Sequence, residues 1–263
     1  MLIDLHLHTR RSDGTSEPLE LLNYIGFQHP EIVAVSITDH DTVCAYEDIE
    51  GKETEFSFRI IKGVEFSASS NGVETHVLGY NINTKDADLL RYLEQLRLRR
   101  LERNLKILEK LKEAKIYIDP KILTDKKGTT GRMNVARALL KQRVVNTAGE
   151  AFRLYLDSGT PTYVADQKPD AAEVIDVIHS AGGVAVLAHA YKIKTDEKIE
   201  DLVARFYKMG IDGLECRYHS FDHNQTNTLL ALADKYNLIK TGGSDLHDLN
   251  RTIGVNVDEL PPL

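Results

Sequence analysis

DLHLHTRRSDG, Asp4 to Gly14, and GGSDLH, Gly242 to His247, lie near opposite ends of the chain and repeat one pattern. Side chains two residues apart in an extended segment share a face, so His6 and His8 form one pair of metal-binding groups and Asp245 and His247 another. Two such pairs, so distant in sequence, predict a fold that brings its ends together around metal.

Between these motifs, short apolar runs rich in β-branched residues alternate with amphipathic segments of helical length, the pattern of βα units and a parallel sheet or barrel. Seven runs read as strands: Leu2 to Leu5, Val33 to Ile37, Arg59 to Val64, Val73 to Tyr80, Val184 to Leu187, Gly213 to Cys216 and Leu238 to Thr241. Ser16, Glu17 and Pro18 mark one helix start, and Lys168, Pro169 and Asp170 another.

From about Asp86 to Asp166 only helical patterns occur, too long a stretch for a βα connection. The organisation expected is therefore an α/β barrel in two parts, 1–85 and 167–263, with residues 86–166 inserted as a helical subdomain. Its first helix, about Asp86 to Lys115, carries an apolar stripe through Leu93, Leu96, Leu101, Leu105, Leu108 and Leu111. Arg91, Arg97, Arg99, Arg100 and Arg103 line the same helix, where alternating charge ordinarily marks a solvated face. Gly128 and Gly131 mark a loop before a second helix near Asn134 to Lys141.

Composition narrows the function. The 263 residues are 42% hydrophobic and 28% charged, an ordinary globular balance, and the net charge of −7 argues against stable duplex nucleic-acid binding. Cys44 and Cys216 lie in no CxxC pair and read as buried small side chains rather than ligands. No apolar stretch approaches the roughly 18 residues that span a bilayer, and Asp4 interrupts any signal-peptide core, so a cytoplasmic location without membrane association is expected.

Candidate ligands recur where the strands run out. His6 and His8 close the first, Asp39 and His40 follow the second, Glu65 the third, His76 lies within the fourth and His189 follows the fifth; Glu215 sits in the sixth, and Asp245 and His247 follow the seventh. In a parallel barrel these ends open onto one face. Any one histidine reads more readily as a packing or surface residue, but the conjunction points to divalent metal. Nitrogen and carboxylate donors without thiolate suit Zn²⁺, Mn²⁺ or Fe²⁺, and so many donors require more than one ion and a bridging carboxylate. His29 and His179 read as structural. Arg217 and His219, after the sixth strand, and Arg251, after the seventh, are candidate pocket residues, as is Arg132 in its glycine-flanked loop at a helix start.

Taken in order, DLHLHTRRSDG, SITDHDT (36 to 42), GVEFS (63 to 67), HVLGY (76 to 80), VLAHA (186 to 190) and GGSDLH resemble the motifs of the PHP (polymerase and histidinol phosphatase) family. The resemblance is strongest to the stand-alone group that includes nucleoside 3′,5′-bisphosphate phosphatases and a 5′-to-3′ exoribonuclease, through Gln95 and Arg99, Arg132 before ARALL, and YLDSG at 155 to 159. It implies a distorted seven-stranded (β/α) barrel with two to three divalent ions. His6, His8, Glu65 and Asp245 would hold the first, Glu65, His76 and His189 the second, and Asp13, His40 and His247 the third. A hydroxide shared by two metals, held by Glu65 and Asp245, would attack phosphorus in line, with Asp39 behind the ligands orienting an imidazole. Arg132, Arg99 and position 134, a histidine in related enzymes and Asn134 here, would contact substrate. The expected reaction is phosphomonoester hydrolysis on a small phosphorylated molecule such as a nucleoside 3′,5′-bisphosphate. Alternatives are nucleotide release from the 5′ ends of short RNA, histidinol-phosphate hydrolysis, or a non-catalytic metal-binding module.

Overall fold

The computed structural model describes residues 1–124 and 127–263. Among the described residues, the strands are β1 (Leu2–Leu7), β2 (Ile32–Ile37), β3 (Arg59–Ile60), β4 (Gly63–Ser70), β5 (Val73–Tyr80), β6 (Val184–Leu187), β7 (Gly213–Tyr218), β8 (Ile239–Gly243) and β9 (Val255–Asn256). The α-helices are α1 (Pro18–Gln28), α2 (Ala45–Ile49), α3 (Ala87–Glu113), α4 (Lys121–Thr124), α5 (Arg132–Lys141), α6 (Ala148–Ala151), α7 (Ala171–Ser180), α8 (Ile199–Met209) and α9 (His223–Tyr236). Helix α1 begins at its proline, and Asp170 caps α7 by accepting from the Ala172 amide at 2.9 Å.

The ladders form two mixed sheets, ordered β3-β2-β1-β9 and β4-β5-β6-β7-β8. The sheets meet at two isolated parallel bridges. At one, Leu7 meets Leu246, with the His8 amide donating to the Leu246 carbonyl at 2.8 Å. At the other, His40 meets Glu65, with the Asp41 amide donating to the Glu65 carbonyl at 2.9 Å. Both seams fall on the histidine motifs, so the contacts that join the sheets also bring the motifs together.

A wholly parallel arrangement is not what forms, because β5 runs antiparallel to both β4 and β6. The cause is local. Asn71 and Gly72 both adopt positive φ, 52° and 76°, the two-residue turn that Asn-Gly favours and that closes a hairpin. The run from Arg59 to Val64 divides around Ile61 and Lys62, leaving a two-residue β3 on the first sheet and passing β4 to the second.

An outer core packs the helices on the sheets through residues such as Leu22, Ile25, Val35, Phe66, Ile178 and Phe206. A smaller cluster of Ile3, Leu5, Ala34, Leu78, Tyr80 and Val186 forms an apolar floor. Leu78 and Tyr80 continue the face of β5 that carries His76, so floor and ligands share one side.

Helix α3 serves two cores. Leu89, Leu93 and Leu96 pack into the outer core, whereas Ile107, Leu108 and Leu111 join Val135, Leu139 and Leu156 in a separate cluster. The loop before α5 is stitched to the first sheet. The Thr129 amide donates to the Arg11 carbonyl at 2.8 Å and its hydroxyl to the His40 carbonyl at 2.6 Å. Gly128, at φ +92°, permits this approach because a Cβ there would overlap the Arg11 carbonyl. Among the described residues no helix is long and apolar enough to cross a membrane.

Candidate metal centre

Glu65 lies at the middle of the site, fully buried on β4. Its Oε1 is 2.8 Å from His76 Nδ1 and 2.9 Å from His189 Nε2, and its Oε2 is 3.0 Å from His40 Nδ1 and 3.2 Å from both His6 Nε2 and His8 Nε2. Asp245 Oδ1 approaches His8 Nε2 at 3.1 Å and His6 Nε2 at 3.5 Å. Beyond it, His247 Nε2 is 3.1 Å from Asp13 Oδ1, and His40 Nε2 is 3.9 Å from Asp13 Oδ2. All nine side chains singled out by the motifs thus meet in one connected cluster.

Among the described residues three donor sets emerge: His6, His8, Glu65 and Asp245; His8, Asp13, His40 and His247; and His40, Glu65 and His76. The first matches the expected set, and the second adds His8 to the expected trio. In the third, His40 stands with Glu65 and His76, while His189 reaches the same Glu65 oxygen as His76. Metal fits this centre on a simple observation. His6 Nε2, His8 Nε2, His40 Nδ1 and Glu65 Oε2 are buried and lack hydrogen-bond geometry although each of the three nitrogens lies within 3.2 Å of that Glu65 oxygen. Buried polar atoms without hydrogen-bond partners are costly, and a cation facing their lone pairs satisfies them together.

Charge is distributed to match. Burial works against ionising Glu65, Asp245 and Asp13, yet the surrounding imidazoles hold all three carboxyls well below the usual range. Burial likewise opposes charging His8 and His76, but Asp245 and Glu65 push His8 up to about 10, and Glu65 foremost pushes His76 up to about 9. The cluster holds negative charge that seeks cations, protons or metals.

Four further groups support the ligands. Glu215 pairs with His6 Nδ1 at 2.9 Å and accepts the His189 amide at 2.7 Å. This leaves His6 Nε2 for the centre. Asp4 accepts from Ser244 and Gly254. Asp39 reaches an imidazole through Ser12: it accepts from the Thr9 amide at 2.7 Å and from the Thr9 and Ser12 hydroxyls, both at 2.5 Å, and the Ser12 hydroxyl stands 3.4 Å from His8 Nδ1. It therefore shapes the loop that presents Asp13. Tyr218 donates to Asp245 Oδ2 at 2.8 Å.

The expected substrate residues divide. Arg132 lines a cavity beside His40 and His76, 3.9 Å from Glu74 and over the Phe152 ring. Arg99 is exposed, and its neighbour Arg100 turns inward instead, pairing with Asp41 at 2.5 Å and Ser67 at 2.7 Å. Helical phase explains this, since Leu96, Arg100, Arg103 and Ile107 follow at intervals of four, three and four. Arg103 and Lys168 line the same cavity, paired with Asp166 and Glu74. Asn134 turns away, accepting the Gly131 amide at 2.7 Å at the start of α5. Arg217 pairs with Asp258 at 2.8 Å and lines a different cavity. His219 and Arg251 are exposed. Arginines on an otherwise apolar helical stripe were the signal for Arg100 and Arg103.

No family model matches the chain. It is 31% identical over 248 residues to a 5′-3′ exoribonuclease of Haemophilus influenzae, spanning 93% of this chain and 89% of that protein. It is 29% identical to a 3′,5′-nucleoside bisphosphate phosphatase of Chromobacterium violaceum, spanning 99% and 93%. A solved amidohydrolase from C. violaceum with bound sulfate superimposes with a TM-score of 0.86 at 28% identity, over 99% of this chain and 92% of that one. The chain belongs to the PHP family of metal-dependent phosphoesterases. A Bifidobacterium adolescentis structure described as a metal-dependent phosphoesterase has a TM-score of 0.85 at 27% identity, covering 98% and 92%. As a PHP phosphoesterase the chain is a hydrolase of phosphoester bonds, and a cavity lined by His40, His76, Arg100, Arg103, Arg132 and Lys168 opens beside the histidine cluster.

Proposed function

We propose that this enzyme hydrolyses the phosphomonoester of a small nucleotide, such as a nucleoside 3′,5′-bisphosphate, using two to three divalent ions drawn from Mn²⁺, Zn²⁺ and Fe²⁺. One observation carries the reading: Glu65, whose two oxygens face five imidazoles, lies beside a cavity edged by Arg132 and Lys168. His6, His8, Glu65 and Asp245 would hold one ion, Glu65 and His76 with His189 or His40 a second, and Asp13, His40 and His247 a third. Divalent ions supply positive charge for phosphate oxygens and acidify bound water.

The remaining work belongs to the chain. Arg132 and Lys168, whose pairing to Glu74 is partly exposed, exchange that carboxylate for phosphate oxygens. Arg100, paired with buried Asp41, lines the same cavity and holds α3 over the site. In this reading residues 86–166 cap the substrate, and 1–85 with 167–263 form the halves of a distorted seven-stranded barrel opened into two sheets. Release of nucleotides from short RNA is the second reading, favoured by the 31% identity to the named exoribonuclease. A panel of 3′,5′-bisphosphates, mononucleotides, histidinol phosphate and short 5′-phosphorylated RNA tests both. Preference for the bisphosphate supports the proposal, preference for RNA the second reading, and equal low turnover on all rejects both.

A further inference from the structure

Strand β7 carries a residue that its neighbour does not match. Glu215 pairs with Thr241 but Arg217 pairs with Gly242, so the ladder steps over Cys216. A bulge of this kind resets the alternation of faces. Simple alternation would aim Arg217 with Glu215 at the centre; instead Arg217 meets Asp258 while Tyr218 enters the site. The Tyr218 side chain is buried, with its ring edge-on to His189 at 5.6 Å and beside Phe221 at 5.0 Å. Its hydroxyl donates to Asp245 Oδ2 at 2.8 Å, leaving Oδ1 toward His8 and His6. Asp245 itself sits at φ +52°, a conformation unfavourable for a residue with a side chain.

We propose that Tyr218 is a positioning residue that turns Asp245 so that Oδ1, and not Oδ2, faces the His6 and His8 imidazoles, thereby setting the metal affinity of that donor set. The inference rests on the proposed metal centre. Two carboxylate oxygens exchange by rotation about one bond, and the His6 and His8 approaches at 3.5 and 3.1 Å both run to Oδ1. A fixed phenol on Oδ2 removes that freedom before metal arrives, and partners behind a ligand commonly change metal affinity by about 10–100-fold.

The test removes only the hydroxyl. Chelator-stripped wild-type protein and Tyr218→Phe are titrated with Mn²⁺ alone by calorimetry, with thermal melting in chelator alongside. Cooperative melting of the variant together with roughly tenfold or greater weakening of one binding step is expected, the other steps staying unchanged. Tyr218→Met, which keeps bulk without the hydroxyl, should weaken the same step. Wild-type affinity in Tyr218→Phe overturns the inference, and so does equal weakening of every step, which marks a general packing role. Wild-type protein that binds no Mn²⁺ would overturn the metal centre itself, a result distinct from either.

Discussion

Asp4 and Ser244, 240 positions apart, are joined by two hydrogen bonds: the Ser244 amide donates to Asp4 Oδ1 at 2.9 Å and its hydroxyl to Oδ2 at 2.6 Å. Gly254 donates a third at 2.8 Å, and Asp4 and Ser244 are withdrawn from water. The carboxylate thus fastens the DLHLH strand to the GGSDLH loop, one residue before Asp245. Asp4→Ala leaves several buried donors without acceptors, each costing about 1–3 kcal/mol. We expect a stability loss of roughly 3 kcal/mol or more in chemical denaturation, together with lower metal content; unchanged stability would separate this contact from assembly of the site.

Glu65→Gln keeps the shape of the central side chain but removes its charge and half of its acceptor capacity. Because Glu65 belongs to two donor sets, bound metal should fall by at least one equivalent by elemental analysis. The fall in kcat/KM should be at least about 10³-fold, the scale on which loss of one well-placed electrostatic group acts. Full metal content in the variant would remove Glu65 from its bridging role. Asp245→Ala should lower turnover similarly, and unchanged turnover would reject its place among the ligands.

The protonation of the cluster makes stability depend on metal and pH together. His8 and His76 are raised to about 10 and about 9, so in chelator their contribution is complete below the unfolded histidine value near ~6.5 and is lost as pH rises through those values. Glu65, Asp13 and Asp245 are depressed, so their contribution is present above the unfolded carboxyl range near ~4 and is lost on acidification. Metal-free protein should therefore melt highest at about pH 4.5–6.5. Its melting temperature should decline toward pH 10, whereas Mn²⁺, which binds neutral imidazole, should stabilise increasingly as pH rises. A metal-free melting temperature that climbs from pH 7 to 9 would contradict this.

Arg132, at the start of α5, lines the cavity beside His40 and His76, whereas Arg99 on α3 is exposed. Arg132→Ala should raise KM for a phosphorylated substrate about tenfold, the loss of one charge-assisted contact. Arg99→Ala should leave kinetics nearly unchanged. Equal effects would show that the insertion reorients when substrate binds.

Arg100 joins α3 to the first sheet through Asp41, with 12% and 3% of the two side chains exposed. Removing one partner of a buried pair strands the other, so Arg100→Ala should cost about 3–5 kcal/mol by denaturation. A cost under about 1 kcal/mol would place the pair among exposed bridges.

The donor chemistry and the meeting of distant motifs were legible in the sequence because His6, His8, Asp245 and His247 follow a local period of two, and local periods need no knowledge of partners. The reversal of β5 was also written locally, in Asn71-Gly72, and yields to turn chemistry rather than to the alternation of βα units. Other placements were not local. Whether Arg99 or Arg100 faces the site depends on the phase of α3, which is set by where Leu89 and Leu96 bury. Whether Arg217 or Tyr218 enters it depends on a bulge that exists only between paired strands.

By itself, then, the sequence determined which atoms can bind metal, where most strands and the long helices form, and where helical sequence interrupts them, since these follow from side-chain chemistry and short-range periodicity. Only the tertiary structure decided that Tyr218 and not Arg217 enters the site, that Asp39 holds Thr9 and Ser12 in the loop before Asp13 and that Asp4 fastens one motif to the other. Register, helical phase and the orientation of a carboxylate are set by the element packed against each residue, and that neighbour lies far away in the chain.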